Sequence, residues 1–149
     1  MNQIQRLKEI DNEIQSLKYT QASLSWDQQV LMPPRAVNGR ADQLALLATM
    51  VHKRETAGEI GGLLQDLGAS DDNPFGSEEL SPVDRAYVRA FYRDYRQATR
   101  IPAELMQKIA RVTAVAQSVW AEAKKKSDFS LFESNLAEIV DLTIEFADR

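Results

Sequence analysis

Apolar residues recur along this chain at intervals of three and four, and that period predicts helices almost throughout. Leu7, Ile10, Ile14, Leu17 and Leu24 draw one narrow seam over residues 2–25, interrupted at Gln21. A seam that narrow is expected to lie along another helix, as in a coiled-coil-like pair. Pro33 and Pro34 must end this first helix, because each lacks a backbone donor and each disfavours the α region in the residue before it. Residues 32–39 are therefore expected to form a turn or extended loop. Leu44, Leu47, Ala48 and Val51 form the inward stripe of a second helix over 40–54. A short third helix is expected over 56–67, either separate from the second or continuous with it.

The run GASDDNPFGSEE at 68–79 is the clearest break, since Gly, Asp, Asn and Pro are turn formers. It reads as an exposed loop, too short to separate two domains. Ser81, Pro82 and Asp84 then spell a helix start: a cap, a residue suited to the first helical position, and a carboxylate at the positive end of the dipole. This fourth helix is expected to reach Ala98, with Ile101-Pro102 punctuating the chain after it. Leu105, Ile109, Val112, Ala116, Val119 and Ala123 form the seam of a fifth helix over 103–125, which ends in Lys124, Lys125 and Lys126. Ser130 and Glu133 match a capping box for a sixth helix, whose inward stripe is expected at Phe132, Leu136, Ile139, Thr143 and Phe146. No segment shows sustained period-2 alternation. The fold class expected is all-α: a single helical domain of five to six helices, including long antiparallel helices. Helical periodicity still runs at Phe146, close to the last residue, Arg149, which leads us to expect a cut chain.

Composition narrows the function classes. No window approaches the ~18 consecutive apolar residues of a membrane span, and residues 1–18 lack the apolar core of a signal peptide. There are no cysteines, which removes disulfides, thiolate nucleophiles and Cys-based zinc sites, and fits a cytoplasmic protein. The net charge of −4 weighs against nucleic-acid binding, which usually needs a basic surface.

Candidate chemistry is sparse. His52 is the one histidine, and Glu55 and Glu59 fall where a helix could bring all three to one face. Catalytic zinc wants three protein ligands, usually with at least two His or Cys, so His52 is expected to be a surface or partly buried histidine at a helix end. No Gly-x-Ser-x-Gly elbow, P-loop or Gly-x-Gly-x-x-Gly is present, and Gly61-Gly62 has no phosphate-binding context. Asp71-Asp72 and Glu78-Glu79 sit in the expected loop as solvated carboxylates. Arg85, Arg89, Arg93, Arg96 and Arg100 fall within an arc of about 80° on the fourth helix. They could form an anion or nucleic-acid surface. However, Tyr87, Phe91 and Tyr95 fall on the opposite side, so arginines meeting water or acidic neighbours are the expectation. Trp26, Asp27 and Gln28, followed by Met32-Pro33-Pro34, make a second cluster. Physically it reads as a corner, with Trp26 anchoring the end of the first helix and Asp27 capping or bonding the following loop.

That corner also carries a resemblance. Leu24-Ser25-Trp26-Asp27-Gln28 with Met32-Pro33-Pro34 resembles the N-terminal signature of the Taq-type thermostable metallocarboxypeptidases. Arg40-Ala41, Gln43-Leu44, Leu47, His52, Ile101-Pro102, Glu104-Leu105, Trp120, Ala123, Phe129, Phe132, Leu136, Ile139 and Val140 continue it in register. The resemblance implies a cytoplasmic, helical, homodimeric enzyme that removes C-terminal residues from peptides, sparing proline. It also implies zinc or cobalt in an HExxH helix with a downstream glutamate ligand, where metal polarises the carbonyl and a glutamate activates water. This chain contains no HExxH. No catalytic, cofactor-binding or metal residue is carried onto it, and none is expected in it. The expectation is an N-terminal segment, inactive alone, that forms the groove wall or lid and has the remainder of the enzyme and the peptide substrate as partners. A standalone helical interaction or oligomerisation module is the alternative.

Overall fold

The computed structural model describes residues 2–149. Six α-helices and one 3-10 turn account for the regular structure, and no strand occurs among the described residues. They are α1 (Gln3–Val30), a 3-10 turn (Pro34–Ala36), α2 (Val37–Glu55), α3 (Gly58–Asp66), α4 (Pro82–Ala98), α5 (Ala103–Lys126) and α6 (Ser130–Ala147). The all-α expectation holds.

Several boundaries moved, each for a local reason. Helix α1 runs a full turn beyond 25, up to the prolines. Its end is closed by the Leu31 and Met32 amides, which both donate to the Asp27 carbonyl at 2.9 Å. Trp26 and Asp27 are thus helical residues rather than the helix end. Pro34 starts the 3-10 turn, so α2 begins earlier than expected. Helix α3 is separate from α2. Ser81 caps α4 as expected, its hydroxyl accepting from the Asp84 amide at 3.1 Å. The capping box at Ser130 does not form. Asp128 intervenes, its Oδ1 accepting from the Ser130 amide at 3.0 Å and from the Ser130 hydroxyl at 2.6 Å.

The chain divides into two compact units, and α1 and α2 contribute residues to both. In the first unit (residues 1–16 and 52–100) the buried apolar side chains are Ile4, Leu7, Ile10 and Ile14 of α1, Ile60 and Leu64 of α3, Leu67 and Ala69 of the loop, and Val88 of α4. Three elements are pinned around them by polar contacts. Arg6 Nε donates to Glu59 at 2.7 Å, Lys8 to Asp84 at 2.7 Å, and the Tyr87 hydroxyl to Asp11 at 3.0 Å. The loop at 68–79 is ordered by its own bonds, including Ser77 N to Leu67 O at 2.8 Å and Asn73 Nδ2 to Gly76 O at 2.9 Å.

The second unit (17–51 and 101–149) has a different kind of core. Its buried apolar residues include Ala41, Ala45, Ala48, Ala114, Ala116 and Ala123, joined by Leu44, Val51, Leu105 and Leu142. Ala41, Leu44 and Ala114 pack together, with Leu24 and Val115 against them. Alanine lets helices approach closely but removes little apolar area from water per residue. Large side chains lie outside instead: Tyr19, Trp26, Leu31, Leu46, Trp120, Val140 and Ile144 are all exposed. Helices α5 and α6 pack on one another. The expected α6 stripe is out of phase, because Leu142, Ile139 and Phe132 turn inward while Leu136, Thr143 and Phe146 are exposed. The apolar arc of α6 is wider than one neighbour can cover, so periodicity alone could not choose its inner edge.

Candidate functional site

The Trp-Asp-Gln corner belongs to the second unit. Arg40, one turn into α2, reaches back to α1. Its Nη2 donates to Asp27 Oδ2 at 2.6 Å, and its Nη1 donates to the Leu24 carbonyl. A guanidinium held by a carboxylate and a main-chain oxygen is a clamp, and Asp27 is committed to it. Gln28 is buried, and its Nε2 donates to the Ala114 carbonyl of α5 at 2.6 Å. Trp26 points the other way and is 59% exposed, so the expectation that it anchors the helix end is overturned. Asp27 and Gln28 therefore tie three helices together, and the corner presents no free nucleophile or base.

His52 lies in the first unit and is only 6% exposed. It is more buried than expected because it follows Ala48 at i+4 on the inward stripe of α2. Glu59 is engaged elsewhere, taking Arg6 at 2.7 Å and Arg54 at 3.0 Å, while Arg54 also pairs with Glu13 at 2.7 Å. Hydrogen bonds from Arg6 and then Arg54 hold the Glu59 carboxyl below the usual range. That carboxylate serves arginines, and His52 gains no second strong ligand. Among the described residues no three His, Cys, Asp or Glu side chains group as metal ligands. The side chains described do not fit a catalytic metal centre.

The arginines of α4 divide into two sets. Arg96 pairs with Asp71 at 3.2 Å and Arg93 with its neighbour Asp94 at 2.8 Å, the acidic contacts expected of a solvated face. Arg85 and Arg89 instead lie over the Phe75 ring, at 5.8 and 4.9 Å from its centroid. Phe75 comes from the loop, so this stacking could not be read from the helix alone. The Tyr87 hydroxyl, half-buried and donating to Asp11, is pushed well above its ordinary pKa, chiefly by burial.

No helix among the described residues is long and apolar enough to cross a membrane. The model of the Carboxypeptidase Taq (M32) metallopeptidase family matches residues 6–149. The thermostable carboxypeptidase 1 of Thermus thermophilus is 32% identical over 144 residues, covering 97% of this chain and 28% of that protein. The thermostable carboxypeptidase 1 of Pyrococcus furiosus is 30% identical over 135 residues, covering 91% of this chain and 26% of that protein. In three dimensions, the BsuCP crystal structure superposes with a TM-score of 0.87 at 23% identity, over 98% of this chain and 28% of that one, which shows a common fold. The chain thus spans little more than a quarter of the length of these relatives. With its helices, its Trp-Asp-Gln corner and the match over nearly its whole length, the chain belongs to the Carboxypeptidase Taq (M32) metallopeptidase family.

Proposed function

We propose that this chain is the N-terminal, non-catalytic helical part of a metal-dependent carboxypeptidase, and that it forms a wall of the groove in which a peptide's C-terminus is bound. The observation that carries the reading is the outer face of α6. Leu136, Val140 and Ile144 are exposed and fall within about 80° of one another on the helix. Each is already about half covered, so full burial would gain roughly 1 kcal/mol apiece. A soluble chain rarely leaves such a stripe uncovered without a partner for it. The relatives' remaining length supplies one, and zinc or cobalt would be held there, by residues this chain lacks. The part played by the present residues is structural: the Arg40 clamp fixes α1 against α2, and Gln28 fixes α1 against α5.

Complementation tests this. The chain would be co-expressed with the Thermus thermophilus thermostable carboxypeptidase 1 from which the matching segment has been deleted. Chelator-sensitive release of C-terminal residues by the pair, lost in Val140→Glu while helicity is kept, is the expected result. Self-association of this chain through the same stripe, with no binding to the deleted enzyme, would instead favour a standalone interaction module.

A further inference from the structure

Gln21 interrupts the apolar seam of α1 and lies beside a polar pocket. Gln21, Ser25 and Gln28 recur at i, i+4 and i+7 and line one side of a pocket of about 110 Å³, with Thr113 and Gln117 of α5 across from them and Leu44 of α2 beside them. Gln28 is 9% exposed. Its amide orientation is dictated by Ala114: Nε2 donates to that carbonyl at 2.6 Å, and the flipped amide would set two acceptors against each other. Oε1 is buried and has no protein donor. A buried acceptor in that state is destabilising unless something donates to it. No charged side chain lines the pocket, so nothing in it would compensate an ion for lost hydration. Thr113 donates its hydroxyl hydrogen to the Ile109 carbonyl at 2.7 Å and so meets the pocket only as an acceptor.

We propose that this pocket, which is partly open to solvent, is a hydration site with room for several waters, of which the one on the buried Gln28 Oε1 is ordered. One water donates to Gln28 Oε1, and the others extend the bonding to Ser25, Gln21, Gln117 and the Thr113 oxygen. Such waters make about three hydrogen bonds apiece to groups left unsatisfied by the protein, and they act as part of the fold. They complete a polar joint between α1 and α5, next to the Arg40 clamp, where a purely apolar seam would have left the helices free to slide in register.

The test uses the 149-residue chain itself. Water-to-amide cross-relaxation is recorded by NMR at the Gln28 side-chain NH2, alongside a crystal structure that resolves ordered solvent. The expected result is a long-lived water signal at Gln28 and a water within hydrogen-bond distance of its Oε1. A direct protein donor on Oε1, or only fast-exchanging solvent in the pocket, overturns the proposal. A Ser25→Ala, Gln117→Leu double variant keeps the Gln28–Ala114 bond and serves as the second arm. Loss of the long-lived signal with the Gln28 shifts retained supports the site. Its persistence at full intensity overturns the assignment.

Discussion

Gly76 is the position at which a single methyl group should do the most damage. It adopts φ +72°, a left-handed conformation that costs a side-chain-bearing residue about 1–2 kcal/mol. A Cβ there would also stand 2.6 Å from the Leu67 carbonyl oxygen and 3.3 Å from Cγ1 of Val88. Neither neighbour can yield easily. The Leu67 carbonyl accepts the Ser77 amide at 2.8 Å, and Val88 is fully buried. Displacing the carbonyl sacrifices a loop bond worth about 1 kcal/mol. Gly76→Ala should therefore destabilise the first unit by about 2–4 kcal/mol. With a urea slope of about 1–3 kcal/mol/M, the midpoint followed by far-UV circular dichroism should fall by about 1–2 M. Gly62→Ala is the matched control. It lies within α3, nothing stands within 4 Å of its added Cβ, and it should gain about 0.5–1 kcal/mol. A Gly76→Ala loss below about 0.5 kcal/mol, or a shift of the same sign in both variants, would refute this account of the loop.

The remaining predictions concern charge, the corner and the faces of α6. Glu59 and Asp84 both sit below their ordinary pKa, through hydrogen bonds from Arg6 and Arg54 and from Lys8 and Ser81 respectively. A depressed carboxylate contributes stability that is present in full above its unfolded pKa and is lost as pH falls through its folded one. Chemical-denaturation midpoints should therefore drop on acidification below about pH 4, and less steeply in Glu59→Gln. Asp27→Asn weakens the clamp on a mostly buried Arg40 and should cost about 1–2 kcal/mol, read as a lower midpoint by tryptophan fluorescence. Leu142→Ala, inside, should cost about 2–4 kcal/mol, while Ile144→Ala, outside, should change stability by less than about 0.5 kcal/mol in this chain. Equal losses for the two would mean that α6 is rotated from the position described.

Local signals in the sequence were the ones that survived. Ser81-Pro82-Asp84 sets the start of α4 because the cap, the preset φ and the dipole all act within one turn. The stripe Leu44, Ala48, Val51 points inward as its 3-4 apolar spacing within one helix foretells. What failed depended on competitors a few residues away or on partners elsewhere. Ser130 matched a capping box, but Asp128 is closer and takes its amide and hydroxyl. The broad apolar arc of α6 offered several inner edges, and the choice of Leu142 comes from packing on α5. Phe75 under Arg85 and Arg89 is a loop-to-helix contact with no periodic signature. The Trp-Asp-Gln corner was visible as a cluster and as a family resemblance. Its chemistry was not, because Arg40 lies in the next helix and Ala114 in the fifth.

The most direct test of the central claim is the hydrolysis of a blocked dipeptide with a free C-terminus by the pure 149-residue chain, with zinc or cobalt added and a chelator as control. No metal-dependent release of the C-terminal residue is expected, because one buried histidine and arginine-bound carboxylates assemble no metal centre. Chelator-sensitive release that tracks this chain through purification, and that disappears in His52→Ala, would contradict it.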